Sequence, residues 1–559
     1  MNLIKLLKFF IKETSFKTWL KVLINFVIQF STIIFEILFL STFFLLLNQK
    51  KDSKLFSTLF DKIEYYFVPY FKEYSLTEIY IGLLVFFLIT KNILVLFQNA
   101  YLHNFIYNVS SQKSAKILET YLNKSYENFS KKEISVYLKQ LVRDVENVFV
   151  GIFGLLINFI GEFIYALVLI FFVSSLVGFK PTYEMYILIG IIIFTLFILY
   201  LGSKKFGELR AINETKVFKV LSDTLNIFKE IKLIDQAKTF ISRYHYFLSQ
   251  YYKTKIISGL ISLTPKFMFE VFLLVLFFIM YRNEFEGINI TDFIIKYSVF
   301  AIALLRLIPS FSKLSAYFSN IIFNLESVKF IEQDLENKIF LKKKNIKKNK
   351  ISHIKLKNIN IEYINNPKFI NLNLEFKKNN IYGVYGESGS GKTTLLNLLS
   401  GFIKPQKGEI IIDNINYNFY SITNEFKVGY AAQMPTIIDE NIYVNIALEY
   451  SSNPNTRNKI KKYLKKFDLN KFNKKKYFID SVSSTIKDMS GGEKQRIGFI
   501  RAIINDANLI LLDEPTSSLD SKNEKKIFEF LSSIKKDKII VVTSHKKNQK
   551  KYFDKIINF

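Results

Sequence analysis

Apolar and polar positions follow two regimes along this chain. Up to about residue 330 the apolar residues run in long blocks, and beyond it they thin into short runs set between polar stretches. Six blocks, near 20–47, 78–107, 149–177, 185–202, 257–281 and 293–322, are long enough to cross a hydrocarbon core, which takes about 20 helical residues. In lipid each must be a helix, because unpaired backbone groups are too costly there. The later short runs, such as 381–385, 509–512 and 538–542, suit buried strands. The pattern predicts a multi-domain membrane protein. An all-α six-span transmembrane domain (1–330) is followed by a linker (331–352) and an α/β domain (353–559).

Shorter periodicities add detail. Leu3, Leu6, Leu7, Phe10 and Ile11 form one stripe, expected as an interfacial helix leading into the first span rather than as a signal peptide. Two long loops with helical pattern contain stretches suited to docking on a soluble domain, Tyr126–Val148 and Leu221–Tyr244. Between the first two spans, Leu55, Phe56, Leu59, Phe60, Ile63, Tyr66 and Phe67 share a helical face. That face suits either a helix lying on the outer membrane surface, touching lipid, or one packed on its own spans.

Composition narrows the classes. There are no cysteines, which excludes disulfides, thiolate zinc sites and iron–sulfur clusters. The formal charge is +29, yet no basic helix carries interleaved stacking aromatics, so nucleic acid is not the expected partner. Lysine and arginine instead mark orientation. Four lie in 1–19, seven in 108–148 and eleven in 203–256, against five in 48–77, one in 178–184 and one in 282–292. The richer side is cytoplasmic, which places both termini in the cytoplasm. Lys342–Lys350 reads as a solvated connector near the membrane surface.

Charges inside spans are rare and face protein or water. Here they are Glu36, Lys91, Glu162, Lys266, Glu270, Lys296 and Arg306. Lys266 and Glu270 are spaced to pair on one helical face. Arg306, three residues before Pro309, suits an anionic substrate, but equally snorkelling or pairing with a carboxylate.

The strongest chemical signal is Gly386-Glu387-Ser388-Gly389-Ser390-Gly391-Lys392-Thr393, followed by Thr394. It lies between an apolar strand and a helix, the context a phosphate-binding loop requires. Its glycines let backbone N–H groups wrap phosphates, Lys392 reaches the β/γ-phosphates, and the Thr393 hydroxyl suits Mg²⁺. The run Leu509-Ile-Leu-Leu-Asp513-Glu514 ends a strand in two carboxylates, Asp513 suited to the Mg²⁺ shell and Glu514 to polarising water. A further strand ends at Ser544-His545, where an imidazole can reach a γ-phosphate.

With Ser490-Gly491-Gly492-Glu493-Lys-Gln-Arg496, these motifs resemble the ATP-binding-cassette (ABC) transporter family, as a half-transporter whose membrane domain is fused ahead of its cassette. The resemblance implies roles for further residues. Tyr363 would stack on adenine, and Gln433 would contact Mg²⁺ and the water. Residues 434–488 would form a helical subdomain, and Ser517-Ser-Leu-Asp520 the D-loop. His545 would be the switch histidine. Met489 and Glu493 replace the usual Leu and Gln, and Val482-Ser-Ser-Thr-Ile lacks the usual Gly-Glu/Asp. Because the signature of one chain completes the partner's site, the resemblance implies a homodimer, or a heterodimer, with ATP and Mg²⁺ as ligands.

The same resemblance implies an ATPase coupled to export or flipping in a bacterial inner membrane. Leu304-Leu-Arg306-Leu-Ile-Pro309-Ser310 and the external segment are similar to lipid-linked oligosaccharide flippases, which implies a lipid-anchored glycan meeting Arg306. Export of peptides or hydrophobic small molecules is the alternative.

Overall fold

Leucine, isoleucine and phenylalanine in unbroken runs leave the backbone one economical solution in an apolar medium, the helix. A computed structural model describes residues 3–47, 75–177, 183–284, 290–336, 351–363, 366–416, 426–479 and 489–559. The external segment at 55–67, the connector 342–350 and the altered stretch 482–486 lie outside the described residues.

The first part, over its described residues, holds helices and no strand. It comprises α1 (Leu3–Glu13), α2 (Phe16–Leu47), α3 (Leu76–Leu122), the short α4 (Tyr126–Ser130), α5 (Ile134–Lys139), α6 (Val145–Val148), α7 (Leu155–Val177), α8 (Tyr183–Asn226), α9 (Phe228–Ile234), α10 (Ala237–Glu284) and α11 (Ile290–Glu336). Among the described residues, three stretches are long and apolar enough to cross a membrane: Phe16–Phe43, Thr77–Leu122 and Ile134–Phe172. The other three expected spans fall within α8, α10 and α11. Pro265 and Pro309 sit inside α10 and α11 without ending them.

The chain from α5 to α7 is continuous but not uniformly α-helical. Gln140–Asp144 and Phe149–Gly154 are π-helical turns. The second presents Phe149 and Phe153 to α1, whose Phe10 ring lies 4.9 Å from Phe153 and 6.1 Å from Phe149. The amino-terminal stripe is thus partly spent on protein. Leu6, Phe9 and Phe10 are buried, while Ile11 stays exposed.

Polar groups buried in this bundle come in sets. Lys139 pairs with Asp144 at 3.1 Å, Asp144 accepts from Ser327, and Arg210 donates to both Ser327 and Glu214. Glu36, 1% exposed, is flanked by Lys91 of α3 and by Arg306 of α11, whose Nε lies 3.2 Å away. Lys266 and Glu270 pair across one helical turn at 3.8 Å, as their spacing predicts. Gly207 lets α8 and α11 touch backbone to backbone, since a Cβ there would fall 2.5 Å from the Phe323 carbonyl oxygen.

The second part is α/β. Strands β1 (His353–Tyr363), β2 (Asn366–Lys377), β4 (Lys407–Ile412) and β5 (Ile415–Asn416) form an antiparallel sheet in the order β2-β1-β4-β5. Strands β3 (Asn380–Tyr385), β6 (Val428–Ala431), β7 (Leu509–Asp513), β8 (Ile539–Ser544) and β9 (Lys555–Asn558) form a parallel sheet in the order β6-β7-β8-β3-β9. Every residue of β7 and β8 is buried, which explains their unbroken apolar runs. Helices α12 (Lys392–Leu399), α15 (Gly491–Ile503) and α16 (Ser521–Ile534) accompany this sheet. Between β6 and α15 the described residues hold α13 (Ile442–Ala447), α14 (Pro454–Lys466) and two 3₁₀ turns, with no strand.

The chain divides into two compact units. One comprises Met1–Leu122 with Lys132–Lys338, and the other Asn123–Lys131 with Ile339–Phe559. The nine residues around α4 therefore belong with the α/β unit, where Tyr126 lies 5.2 Å from Phe402 and Phe402 meets Tyr430 edge-on. Of the first docking stretch read from sequence, only Tyr126–Lys131 falls in this unit.

Candidate nucleotide-binding site

All neighbours in the five-stranded sheet run parallel, so the loops after β3, β6, β7 and β8 emerge at one edge. Ligands bind at such carboxyl edges because loop atoms and helix N-termini converge there. The sequence-predicted residues occupy these loops.

After β3, residues 386–391 turn into α12. Gly389 and Gly391 hold φ of +83° and +106°, a region that side-chain-bearing residues rarely adopt. A Cβ on Gly391 would also lie 2.9 Å from the Phe369 ring. Lys392 is buried, and its Nζ donates to the Gly386 and Glu387 carbonyls at 2.7 and 2.9 Å. The ammonium is thereby folded back over the loop. Ser390 Oγ is buried, with no hydrogen-bond partner among the described residues.

Thr393 donates to Asp513 Oδ2 at 2.9 Å, joining the start of α12 to the end of β7. The other carboxylate oxygen, Oδ1, accepts from Thr543 at 2.7 Å. Thr543 in turn accepts from the Glu514 backbone N–H at 2.9 Å. Thr543 of β8 thus aligns both acidic residues, a role its place in an apolar run conceals. The Thr393–Asp513 pair supplies the hydroxyl and carboxylate oxygens that would hold a Mg²⁺ ion. Among the described residues no cluster of three or more His, Asp and Glu could hold a metal unaided.

Glu514 has a left-handed backbone (φ +44°), and its side chain meets two loops. Gln433 Nε2 donates to Glu514 Oε2 at 3.0 Å, and His545 Nδ1 lies 3.3 Å from the same oxygen. Carboxylate, amide and imidazole, from the ends of β7, β6 and β8, therefore converge. Strain at a residue so placed is the kind functional sites retain.

Ser490 caps α15 in a reciprocal box: Glu493 N–H donates to Ser490 Oγ, and Ser490 N–H to Glu493 Oε2. Burial pushes the Glu493 carboxyl up, but the Lys471 ammonium at 2.7 Å and the Ser490 N–H outweigh it and hold the group below the usual range. Asn523 likewise holds the exposed Asp520 carboxyl low. Gly491 and Gly492 lie against Ser518 and Leu519, and are not brought to the loop of 386–391. Tyr363 ends β1, and its side chain is outside the described residues. Arg306 belongs to the helical unit, a third exposed, its guanidinium 5.4 Å from the Phe39 ring. Motif reading gave no role to Thr543, which only its nearness to Ser544-His545 could have flagged, nor to Gln495, although it stands inside the Ser490–Arg496 run.

The parallel sheet, the glycine loop opening a helix and the Thr–Asp pair define a P-loop nucleotide-binding domain. Residues 369–517 match the family model described as ABC transporter. A probable ABC transporter ATP-binding/permease protein of Haemophilus influenzae is 37% identical over 186 residues, covering 32% of this chain and 33% of the relative. Lipoprotein-releasing system ATP-binding protein LolD of Buchnera aphidicola is 35% identical over 166 residues, 28% of this chain and 68% of the relative. The chain thus spans about a third of the length of the H. influenzae relative. A solved structure of a bacterial Atm1-family ABC exporter with ATP bound superposes with a TM-score of 0.77, at 14% identity, covering 97% of this chain and 93% of that one. The chain belongs to the ABC transporter family, and its fold is that of a membrane domain joined to a cassette.

Proposed function

We propose that this chain is an ATPase that drives export or flipping across a bacterial inner membrane, working as a homodimer, with both termini cytoplasmic and six spans per copy. The carrying observation is the convergence of Thr393–Asp513 and Glu514–Gln433–His545 at one sheet edge in a chain whose preceding residues form long apolar helices.

The chemistry follows from the side chains. Lys392, released from the Gly386 and Glu387 carbonyls, takes the β/γ-phosphates, and the backbone of 387–394 wraps them. Mg²⁺ held by Thr393 and Asp513, with Gln433, would offset phosphate charge. Glu514 accepts a proton from water as its oxygen attacks the γ-phosphorus. The bond to the bridging oxygen breaks, leaving ADP and phosphate. His545 donates to the γ-phosphate, and Ser490, Gly491, Gly492 and Asp520 serve the partner's nucleotide.

A dimer also accounts for α9. Phe228, Leu233 and Ile234 are 62%, 86% and 68% exposed, an apolar face suited to docking on the partner's cassette. The expected cargo is a lipid-linked oligosaccharide or similar lipid-anchored glycan. Glu36 faces two cations, Lys91 and Arg306, and the excess positive charge suits an anionic linkage. Cargo-stimulated ATP hydrolysis in lipid nanodiscs tests this. Glycolipid pyrophosphates should stimulate at least twofold and peptides or hydrophobic amines should not; the reverse pattern selects peptide or drug export. An Arg306→Ala variant that still flips the glycolipid normally removes Arg306 from cargo binding.

A further inference from the structure

Helix α15 opens with Ser490–Gly492, yet one turn further in its Gln495 faces this chain's own nucleotide site. Gln495 is 4% exposed, and its amide is saturated. Nε2 donates to Ser517 Oγ at 2.6 Å and to the Gln433 carbonyl at 3.1 Å, with a longer contact of 3.4 Å to the Glu514 carbonyl. Oε1 accepts from Ser518 N–H at 2.9 Å. One side chain thus grips the loop after β6, the loop after β7 and the segment leading to Asp520.

The pattern is selective. Gln433 and Glu514 already touch through their side chains, and Gln495 holds the backbone carbonyl of each. Glu514 is fixed from the other side by Thr543, which accepts its N–H. A residue with φ of +44° is free to relax unless its two peptide groups are restrained, and here they are. The platform beneath Gln495 is stiff as well. A Cβ on Gly498 would meet Pro435 at 2.3 Å, and one on Gly492 would lie 3.0 Å from the Ser518 carbonyl oxygen. Small shifts of α15 therefore carry the loops after β6 and β7 with them.

We propose that Gln495 is a positioning residue for hydrolysis: from the signature helix it sets the Glu514–Gln433 pair of its own chain, although that helix begins with residues serving the partner's nucleotide. The proposal rests on the ATPase reading above. Losing the amide frees the Glu514 peptide and separates the carboxylate from the Gln433 amide, so hydrolysis falls while nucleotide binding, which depends on residues 386–394, persists. A purely structural role would lower stability and binding together.

The test uses the full chain in lipid nanodiscs. Gln495→Leu removes every hydrogen bond. Gln495→Glu keeps the shape and the acceptor for Ser518 but loses the donor, and serves if the leucine variant fails to fold. Both are expected to lower kcat at least tenfold, with nucleotide affinity within threefold of wild type. In a mixed dimer of one tagged Gln495→Glu copy and one wild-type copy, vanadate-trapped azido-ATP should label the tagged copy at least fivefold less than its partner. Turnover within twofold of wild type, or label lost from the untagged copy or equally from both, overturns the proposal. A wild-type protein that hydrolyses no Mg-ATP overturns the ATPase reading itself, an outcome distinct from an active wild type with an unaffected Gln495→Leu.

Discussion

At the residue scale the chemistry was written openly in some places and hidden in others. Gly389, Gly391 and Lys392 announce themselves because phosphate binding demands φ values and a charge that few other purposes share. Thr543 carries no such mark, since threonine in a strand is ordinary; Gln495 stands inside the Ser490–Arg496 run, yet what it holds appears only once hydrogen bonds are drawn. Replacing Glu514 with Gln should leave ATP binding intact and slow hydrolysis by about 10²–10⁴-fold, the range of general-base loss; turnover near wild type would remove Glu514 from that role. Lys392→Ala should weaken ATP affinity at least tenfold, read by equilibrium nucleotide binding. In the helical unit, Glu36→Ala strands Lys91 and Arg306 opposite an apolar gap. It should cost about 3–5 kcal/mol, as breaking a buried ion pair does. A thermal melt in nanodiscs unchanged from wild type would refute that.

At the element scale, periodicity located the long helices and buried strands well, because each obeys one repeat over many residues. It had no means of placing the π turns at Gln140–Asp144 and Phe149–Gly154, which shift the repeat inside a continuous helical run. The stripe on α1 was visible, but a single sequence cannot distinguish lipid from Phe149 and Phe153 as its cover. The cap of α15 yields a pH prediction. Glu493 is held below the ordinary carboxylate range, so its contribution is present above that range and fades as pH falls through the lowered value. Glu493→Gln keeps a capping side chain without the charge. The melting-temperature gap between wild type and this variant should therefore be largest near pH 7 and shrink toward pH 3. Ser490→Ala removes the cap itself and should cost about 1 kcal/mol of cassette stability.

At the scale of the whole molecule, the cassette's motifs were legible in order because the glycine loop, Gln433, Asp513–Glu514 and His545 each stand at or just beyond a strand's carboxyl end and Ser490 caps a helix. The cargo was not, because apolar helices advertise lipid and little else. The exposed face of α9 gives the sharpest test of assembly. Leu233→Asp should leave ATP hydrolysis measurable but abolish its stimulation by cargo, whereas a stimulation ratio equal to wild type would show that this face docks on nothing. A simpler consequence follows from Asn123–Lys131, the loan of nine residues from the helical run to the α/β unit. Severing the tether with an engineered protease site at 342–350 should not set the cassette adrift. The two fragments ought to travel together through a sizing column, held by Tyr126 at its Phe402 berth. A cassette expressed without that borrowed segment would leave Phe402 bare of its Tyr126 cover.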